Sequence, residues 1–542
     1  MNILMLYPKF PEETCKDTGR TAKLLWRRKA GIPPIGLLTV ASYLPPDFQV
    51  RLIDRNVSEE SEADWEWADV VFFSLMMAQQ ADYSSCVSSA KRHRKPIAVG
   101  GPFTHAMPEL ATAQAAWVCF GEAESIIEEI LDDVRADRRG RQYEGSSPPN
   151  VELTKPPRFE LLQNVNDYAA MAVQFSRGCP FRCEFCDIPE IYGRIPRAKT
   201  PAQILAELSS IQQLGFRGHV FFVDDNFIGN KKKAKLALQE LASWNREHGY
   251  PFRFYTYATI NLADDEDLLE RMSQAGFFHV FVGIETPDKS VLKATQKMQN
   301  VTGDFLERLH RIRQHGIDIS AGFVLGFDGE DQEVFETQRS FIQRSGIGIA
   351  TVSLLQAIPN TDLWRRLKKE GRLLEPKNIP GISTFGGINF IPTGEITRQG
   401  YIEGYCNLMK EIYKPKAYFD RVLPGLLSMR KNNEQDVLPY RCRWNVCLVL
   451  LWECYHLGIR AKGMRLHFWK TFLNVLWRNP VALEAFAFGC VVFHYMNQRT
   501  DFMQQELSQY LSYLPPEDVL NETAHASESS TAGTLRASSE AG

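Results

Sequence analysis

Ser176-Arg177-Gly178-Cys179-Pro180-Phe181-Arg182-Cys183-Glu184-Phe185-Cys186 decides how the rest of this chain is read. Three thiols fall within eight residues, spaced C-x3-C-x2-C, directly after an apolar run at 171–175. Structural zinc closes a tetrahedron with four ligands, usually in two separated pairs. Here no fourth cysteine is near, and the closest downstream histidine is His219. A disulfide would strand one thiol. Thiolates are the usual ligands of iron–sulfur clusters, and a cubane held by three of them leaves one iron open to a substrate or cofactor. Zinc and fortuitously buried cysteines stay as the bland alternatives.

Downstream of this loop, short β-rich runs at 219–223, 253–257, 278–282, 317–323 and 350–355 alternate with amphipathic helices. With 171–175 they make six β/α units, which suits an open or partial barrel rather than a closed eight-fold one. Upstream, strands are expected at 2–7, 49–53, 69–74, 96–99 and 116–120, and helices at 36–44, 79–92 and 124–134. Near-continuous apolar strands between helices imply a parallel sheet covered on both faces, a doubly wound (Rossmann-like) α/β domain. Ligands in such sheets sit beyond the strand carboxyl ends, where this chain puts Pro8, Asp54, Asn56, Gly100, Gly101, Gly121 and Glu122. Residues 136–165, charged and then Pro-rich, read as a linker.

After about Pro392 the pattern turns helical and aromatic, with helices expected at 395–413, 444–459, 464–477 and 481–498. The resulting division is 1–140, 165–392, 393–515 and a Ser/Ala/Glu/Thr-rich tail at 516–542 that reads as disordered. The apolar runs near 447–451 and 481–492 are too short or interrupted to cross a bilayer. Residues 460–477 mix basic and aromatic side chains in a way that suits a membrane surface. Sixty-two Lys and Arg against 65 Asp and Glu leave a formal charge of -3, so there is no global signature of nucleic-acid binding. Eleven cysteines with no basic, apolar leader at the start point to a reducing cytosol, where clustered thiols mean metal or catalysis. Outside the triplet, the cysteines read as small buried hydrophobes or ordinary surface thiols.

The cysteine loop after the first strand of a partial barrel, with Phe185 just before the third thiol, resembles the radical S-adenosylmethionine (radical SAM) superfamily. That resemblance implies that Cys179, Cys183 and Cys186 hold a [4Fe–4S] cluster whose open iron chelates SAM. It further implies reductive cleavage of SAM to methionine and a 5′-deoxyadenosyl radical, with the protein supplying position and exclusion of water. Asp224 and Asp225 stand where the family usually has Gly-Gly-Glu, the contact to the SAM ammonium. Gly283-Ile284-Glu285-Thr286 is similar to a segment lining the SAM pocket, so Glu285 is the next polar contact. Phe185 and Tyr257 complete the expected SAM site, with Thr259 near the ribose and 321–327 near the adenine.

The domain ahead of the barrel resembles the cobalamin-binding branch of the same superfamily. The matching segments are Pro33-Pro34-Ile35-Gly36-Leu37-Leu38, Leu52-Ile53-Asp54-Arg55-Asn56, Val99-Gly100-Gly101-Pro102 and Phe120-Gly121-Glu122-Ala123-Glu124. The branch implies cobalamin on Pro8, Asp54, Asn56, Gly100, Gly101, Gly121 and Glu122. An Asp-x-His-x-x-Gly motif is absent and the domain's histidines are His93 and His105, so no histidine is expected on the lower cobalt face. By resemblance the chain is a methyltransferase that methylates an unactivated carbon of an apolar, hopanoid-like substrate through a 5′-deoxyadenosyl radical and methylcobalamin. Its C-terminal helices would shape or gate the substrate site. The rivals are a cyclase or rearrangement enzyme, a tetrapyrrole or peptide methylase, and a non-enzymatic Fe–S or corrinoid sensor. The expected partners are a small-molecule or lipid substrate, a ferredoxin or flavodoxin as electron donor, and a peripheral membrane contact, with no nucleic acid.

Overall fold

A computed structural model describes residues 1–11, 28–374, 387–429 and 440–512. The first sheet is parallel throughout and holds six strands: β1 (Asn2–Tyr7), β2 (Gln49–Asp54), β3 (Val70–Ser74), β4 (Ile97–Gly100), β5 (Trp117–Phe120) and β6 (Arg141–Glu144), in the order β2-β1-β3-β4-β5-β6. The reversal of chain direction across the sheet falls between β1 and β3, so the loops after these two strands open one crevice. Helices cover both faces, and the central strands are buried on both sides.

β6 corrects the expected linker. Its residues Arg-Gln-Tyr-Glu look like surface because only Tyr143 is buried. An edge strand has a single neighbour, and charged side chains there protect the free edge. The backbone pairs with β5 from Trp117↔Arg141 to Phe120↔Glu144, and the Tyr143 hydroxyl donates to Asp133 Oδ2 at 2.6 Å.

The second sheet is a six-stranded parallel half-barrel: β7 (Ala170–Val173), β8 (Gly218–Phe222), β9 (Phe252–Ala258), β10 (Phe277–Glu285), β11 (Asp318–Leu325) and β12 (Ile349–Leu354), adjacent in chain order. Each strand feeds a helix on the outer face, where Val220, Phe222, Phe254, Val280, Ile319 and Val352 are fully buried. Several of these helices carry their caps in sequence. Thr200 and Gln203 form a reciprocal capping box on Pro201–Gln213, and Asp265 caps Glu266–Ala275.

Five helices follow the barrel and its flanking segments: α1 (Arg398–Ile412), α2 (Pro415–Ser428), α3 (Tyr440–Tyr455), α4 (Arg465–Arg478) and α5 (Leu483–Ser512). α2 was not anticipated, because Pro424 lies inside it and reads as a helix breaker. α5 runs further than the expected 481–498. The tail at 516–542 lies outside the described residues. Among the described residues, no helix is long and apolar enough to cross a membrane. The start of α5 meets the barrel at the amino ends of its strands: Glu484 pairs with Arg253 and lies 3.4 Å from His219, and Phe488 sits 6.4 Å from His279. These helices therefore floor the barrel at the end opposite the cysteine loop.

Candidate functional site

The three thiols are free and half-buried on the loop that leaves β7. Gly178 enters this loop at φ +89, where a Cβ would fall 2.8 Å from the Gly193 carbonyl oxygen. Two amides face the sulfurs: Asn226 Nδ2 lies 3.9 Å from Cys179 Sγ, and Gln299 Nε2 lies 3.5 Å from Cys183 Sγ. Amide donors to sulfur stabilise thiolate charge and tune a cluster's potential. Among the described residues, no three His, Cys, Asp or Glu side chains converge tightly enough to chelate one ion. Three thiolates on one short loop, two of them faced by amide donors, fit an iron–sulfur cluster that leaves one iron open.

The two carboxylates after β8 have separate surroundings. Asp224 is fully buried and saturated by protein: it accepts from Phe175 N at 3.0 Å, from Ser176 Oγ at 2.6 Å and from Ser176 N. It staples β8 to the start of the cysteine loop. Asp225 instead leaves Oδ2 buried without a protein partner. Burial, and then the neighbouring Asp224, raise its carboxyl to about 7.

Glu285 occupies a left-handed conformation, φ +66, which a non-glycine residue adopts only under constraint from its surroundings. Its carboxylate pairs with buried Lys297. The pair folds over Gly283, where a Cβ would strike the Glu285 carboxylate and fall 2.9 Å from Lys297 Nζ. Burial works against the Lys297 ammonium, but Glu285 and then Cys183 outweigh it and raise its pKa. The ammonium also lies 5.7 Å from the centre of the Phe185 ring, which packs on Phe327 at 5.5 Å. Lys297, Gln299 and Asn226 thus join the site although no motif marked them. Lys297→Met should strand a buried carboxylate and destabilise the fold by about 3–5 kcal/mol. Chemical denaturation checks this, and an unchanged midpoint would show the pair to be idle.

At the domain junction, the loop after β5 is tied to the cysteine loop by charge. Arg177, two residues before Cys179, donates to Glu122 at 2.6 Å and to Glu124 at 2.6 Å, and Arg197 also pairs with Glu122. Asp54 is buried and accepts from Asn56 N at 2.9 Å, from Asn56 Nδ2 at 2.7 Å and from Tyr168 of the segment entering β7 at 3.1 Å. Asn56 in turn accepts from Phe10 N and donates to the Pro8 carbonyl. Gly101, at φ +88, is required by its own surroundings: a Cβ would sit 2.8 Å from Ser74 Oγ. Gly100 is looser, with Cys119 Cβ at 3.5 Å, and a Cβ on Gly121 would meet nothing within 4 Å. Buried polar atoms without partners remain on this side, Gln80 Oε1 after β3 and His105 Nε2 after β4. His105 stands edge-on to Phe120 at 5.9 Å and within the field of Asp187, which follows Cys186. His93, in contrast, stacks on Trp65 and pairs with Glu62. Unsatisfied donors and acceptors with an open backbone at a sheet crevice fit a large cofactor carrying polar edges.

Inside the half-barrel the strands present aromatic rings. Phe221 stacks on Tyr255 at 4.6 Å, Tyr257 meets Phe221 at 5.0 Å and Phe281 at 5.2 Å, and Phe278 stacks on His219 at 4.9 Å. Tyr257 is 44% exposed although strands flank it on both sides, so the barrel interior is open space at this level.

A doubly wound domain tied by charge to the three-thiol loop at the mouth of a half-barrel fits an iron–sulfur enzyme with a second large cofactor in the sheet crevice. Family profiles match accordingly: a B12 binding domain at 24–131, the radical SAM superfamily at 173–341 and a domain of unknown function, DUF4070, at 361–508. The chain is 38% identical to an uncharacterized methyltransferase of Synechocystis sp., over 97% of this chain and 99% of that protein. It is 34% identical to a hopanoid C-2 methylase of Rhodopseudomonas palustris, over 86% and 88%. The fold is shared with the radical SAM methyltransferase TsrM from Kitasatospora setae (TM-score 0.56, 15% identity, 74% of this chain and 80% of that one). It is shared too with the cobalamin-dependent radical enzyme OxsB (TM-score 0.59, 14% identity, 96% and 82%). The chain belongs to the cobalamin-dependent radical SAM methyltransferase family. Its cofactors are a [4Fe–4S] cluster, SAM and cobalamin.

Proposed function

We propose that this enzyme methylates an unactivated carbon of an apolar, polycyclic, hopanoid-like substrate. The observation that carries the substrate class is the open aromatic interior of the half-barrel, centred on Tyr257 between Phe221 and Phe281. Aromatic walls supply large contact area to an apolar skeleton and few hydrogen bonds that would tie it to one functional group. When bound, the cofactors supply hydrogen abstraction by a SAM-derived radical and a methyl group carried on cobalt, with electrons drawn from a ferredoxin or flavodoxin.

The residues divide the remaining work. Cys179, Cys183 and Cys186 hold the cluster, with Asn226 and Gln299 supporting two of the sulfurs. Asp225 offers the carboxylate edge to SAM, and Asp224 fixes the loop behind it. Phe185, Tyr257 and the Glu285–Lys297 pair line the rest of the SAM pocket. On the other side of the junction, Pro8, Gly100, Gly101 and Gly121 bring backbone against the corrin. Asp54, Asn56 and Glu122 hold the crevice loops in place, which is how those three serve cobalamin. The floor built by Glu484 and Phe488 closes the far end against water.

The test is incubation of the reconstituted enzyme with CD3-labelled SAM, a reductant and candidate hopanoids. The expected result is a labelled lipid and 5′-deoxyadenosine. Deoxyadenosine without label in any product would point to the cyclase or rearrangement reading, and neither product would reject the lipid substrate. The same assay with a chlorin serves as the tetrapyrrole arm, because the nearly parallel Phe221–Tyr255 stack, 5° between planes, also suits a flat macrocycle.

A further inference from the structure

We propose that the helical C-terminal domain docks on the surface of an anionic lipid bilayer through the outer faces of α3 and α4. This rests on the lipid-substrate reading for its purpose but not for its evidence, which is local to the two helices. On α3, Leu448, Leu451 and Tyr455 follow one another at three- and four-residue steps, and Ile459 continues the stripe into the turn beyond it. On α4, Leu466, Leu473 and Trp477 repeat at seven and four residues. These steps place each set along one face of a helix. Leu451 is 67%, Leu466 77% and Trp477 85% exposed, whereas large side chains on the inward faces, such as Val449, Phe468 and Val475, are buried.

The charge around these stripes has one sign. Residues 454–483 contain no aspartate or glutamate, but they carry Arg460, Lys462, Arg465, Lys470 and Arg478, all exposed. Among acids on neighbouring elements, Asp420 of α2 lies 3.9 Å from Lys470 Nζ and also pairs with Lys416, so it offsets little of this charge. The turn between the helices is held by a bond from Trp469 Nε1 to the Gly458 carbonyl at 3.0 Å, so the two stripes are presented by a fixed joint.

Large apolar side chains rimmed by cations, with the one acid between them, Glu453 of α3, fully buried, match a membrane interface: the apolar groups enter the headgroup boundary while Lys and Arg meet anionic lipid. A protein partner for so wide an apolar patch would ordinarily present acids of its own and leave the pair soluble, so charge alone does not choose between them. The exposed apolar side chains run along two helices rather than around one point, which favours a planar surface.

The full-length holoenzyme is floated with vesicles of phosphatidylcholine alone and of phosphatidylcholine with phosphatidylglycerol, at low and high salt. Binding is expected to the anionic vesicles and to weaken as salt rises. Leu451→Ser combined with Trp477→Ser, and separately Lys462→Glu with Arg465→Glu, should each lower the bound fraction about tenfold or more. Iron content and substrate-independent deoxyadenosine formation should stay at the wild-type level in both, which shows that they fold and keeps this result separate from the fate of the methylation reading. Wild-type protein that fails to float, variants that float as well as wild type, or self-association through these residues in place of lipid binding would each overturn the proposal.

Discussion

Cys186→Ser, like the same change at Cys179 or Cys183, should reduce bound iron to background and stop 5′-deoxyadenosine formation altogether. Serine keeps the volume of cysteine but offers a hard, poorly ionised oxygen in place of the soft thiolate that iron–sulfur clusters select. The loss should be chemical rather than structural, because the triplet sits half-buried on a loop outside the apolar core. Cys447→Ser, an exposed thiol far along the chain, is the matched control and should leave both readouts intact. A Cys186→Ser protein that still cleaves SAM reductively would remove the cluster assignment.

Arg177→Met should produce a large loss of stability. The Glu124 side chain is only 7% exposed and faces Arg177 at 2.6 Å, whereas Glu122 keeps Arg197, so deleting the guanidinium leaves the buried Glu124 charge uncompensated. Breaking a buried pair in this way costs about 3–5 kcal/mol. Replacing that glutamate as well, with Glu124→Gln, should recover much of the loss because Glu122 and Arg197 still pair and no lone charge is then buried. Chemical unfolding of the wild type and the two variants tests this, and a double variant no better than Arg177→Met would refute the account.

The same clamp gives a pH signature. Burial opposes ionisation of Glu124, but the Arg177 charge outweighs it and holds the carboxyl below its usual value. That stabilisation is therefore complete above the ordinary glutamate range and is lost as pH falls through the depressed folded value. Arg177→Met should flatten this acid limb. Because the clamp joins the β5 loop to the cysteine loop, its loss should also weaken cobalamin retention, read as cobalt per chain after gel filtration.

How much of this was legible beforehand follows from what each feature depends on. Both parallel sheets could be read from local runs of apolar residues, since strands buried on two faces need no alternation. Eleven of the twelve strands in the two parallel sheets were foreseen, and the exception, β6, hid because an edge strand with one buried tyrosine has almost no apolar signal. Helix α2 hid behind Pro424, which tertiary packing tolerates and propensity forbids.

The site divides along the same line. Spacing along the chain determined the three cysteines, because cluster ligands from one loop must be close in sequence. It also located the acidic and glycine loops, because those fall at strand carboxyl ends. Only the tertiary structure decided which of two adjacent aspartates is spent on the backbone and which keeps a free oxygen. It alone brought Lys297 to Glu285, Gln299 and Asn226 to the sulfurs, and Arg177 to Glu122 and Glu124. Those contacts join residues from 12 to 116 positions apart, some of them across two domains. The sign of a charge or the shape of an amide on the chain does not say which neighbour will face it until the sheets are stacked and the loops are brought together.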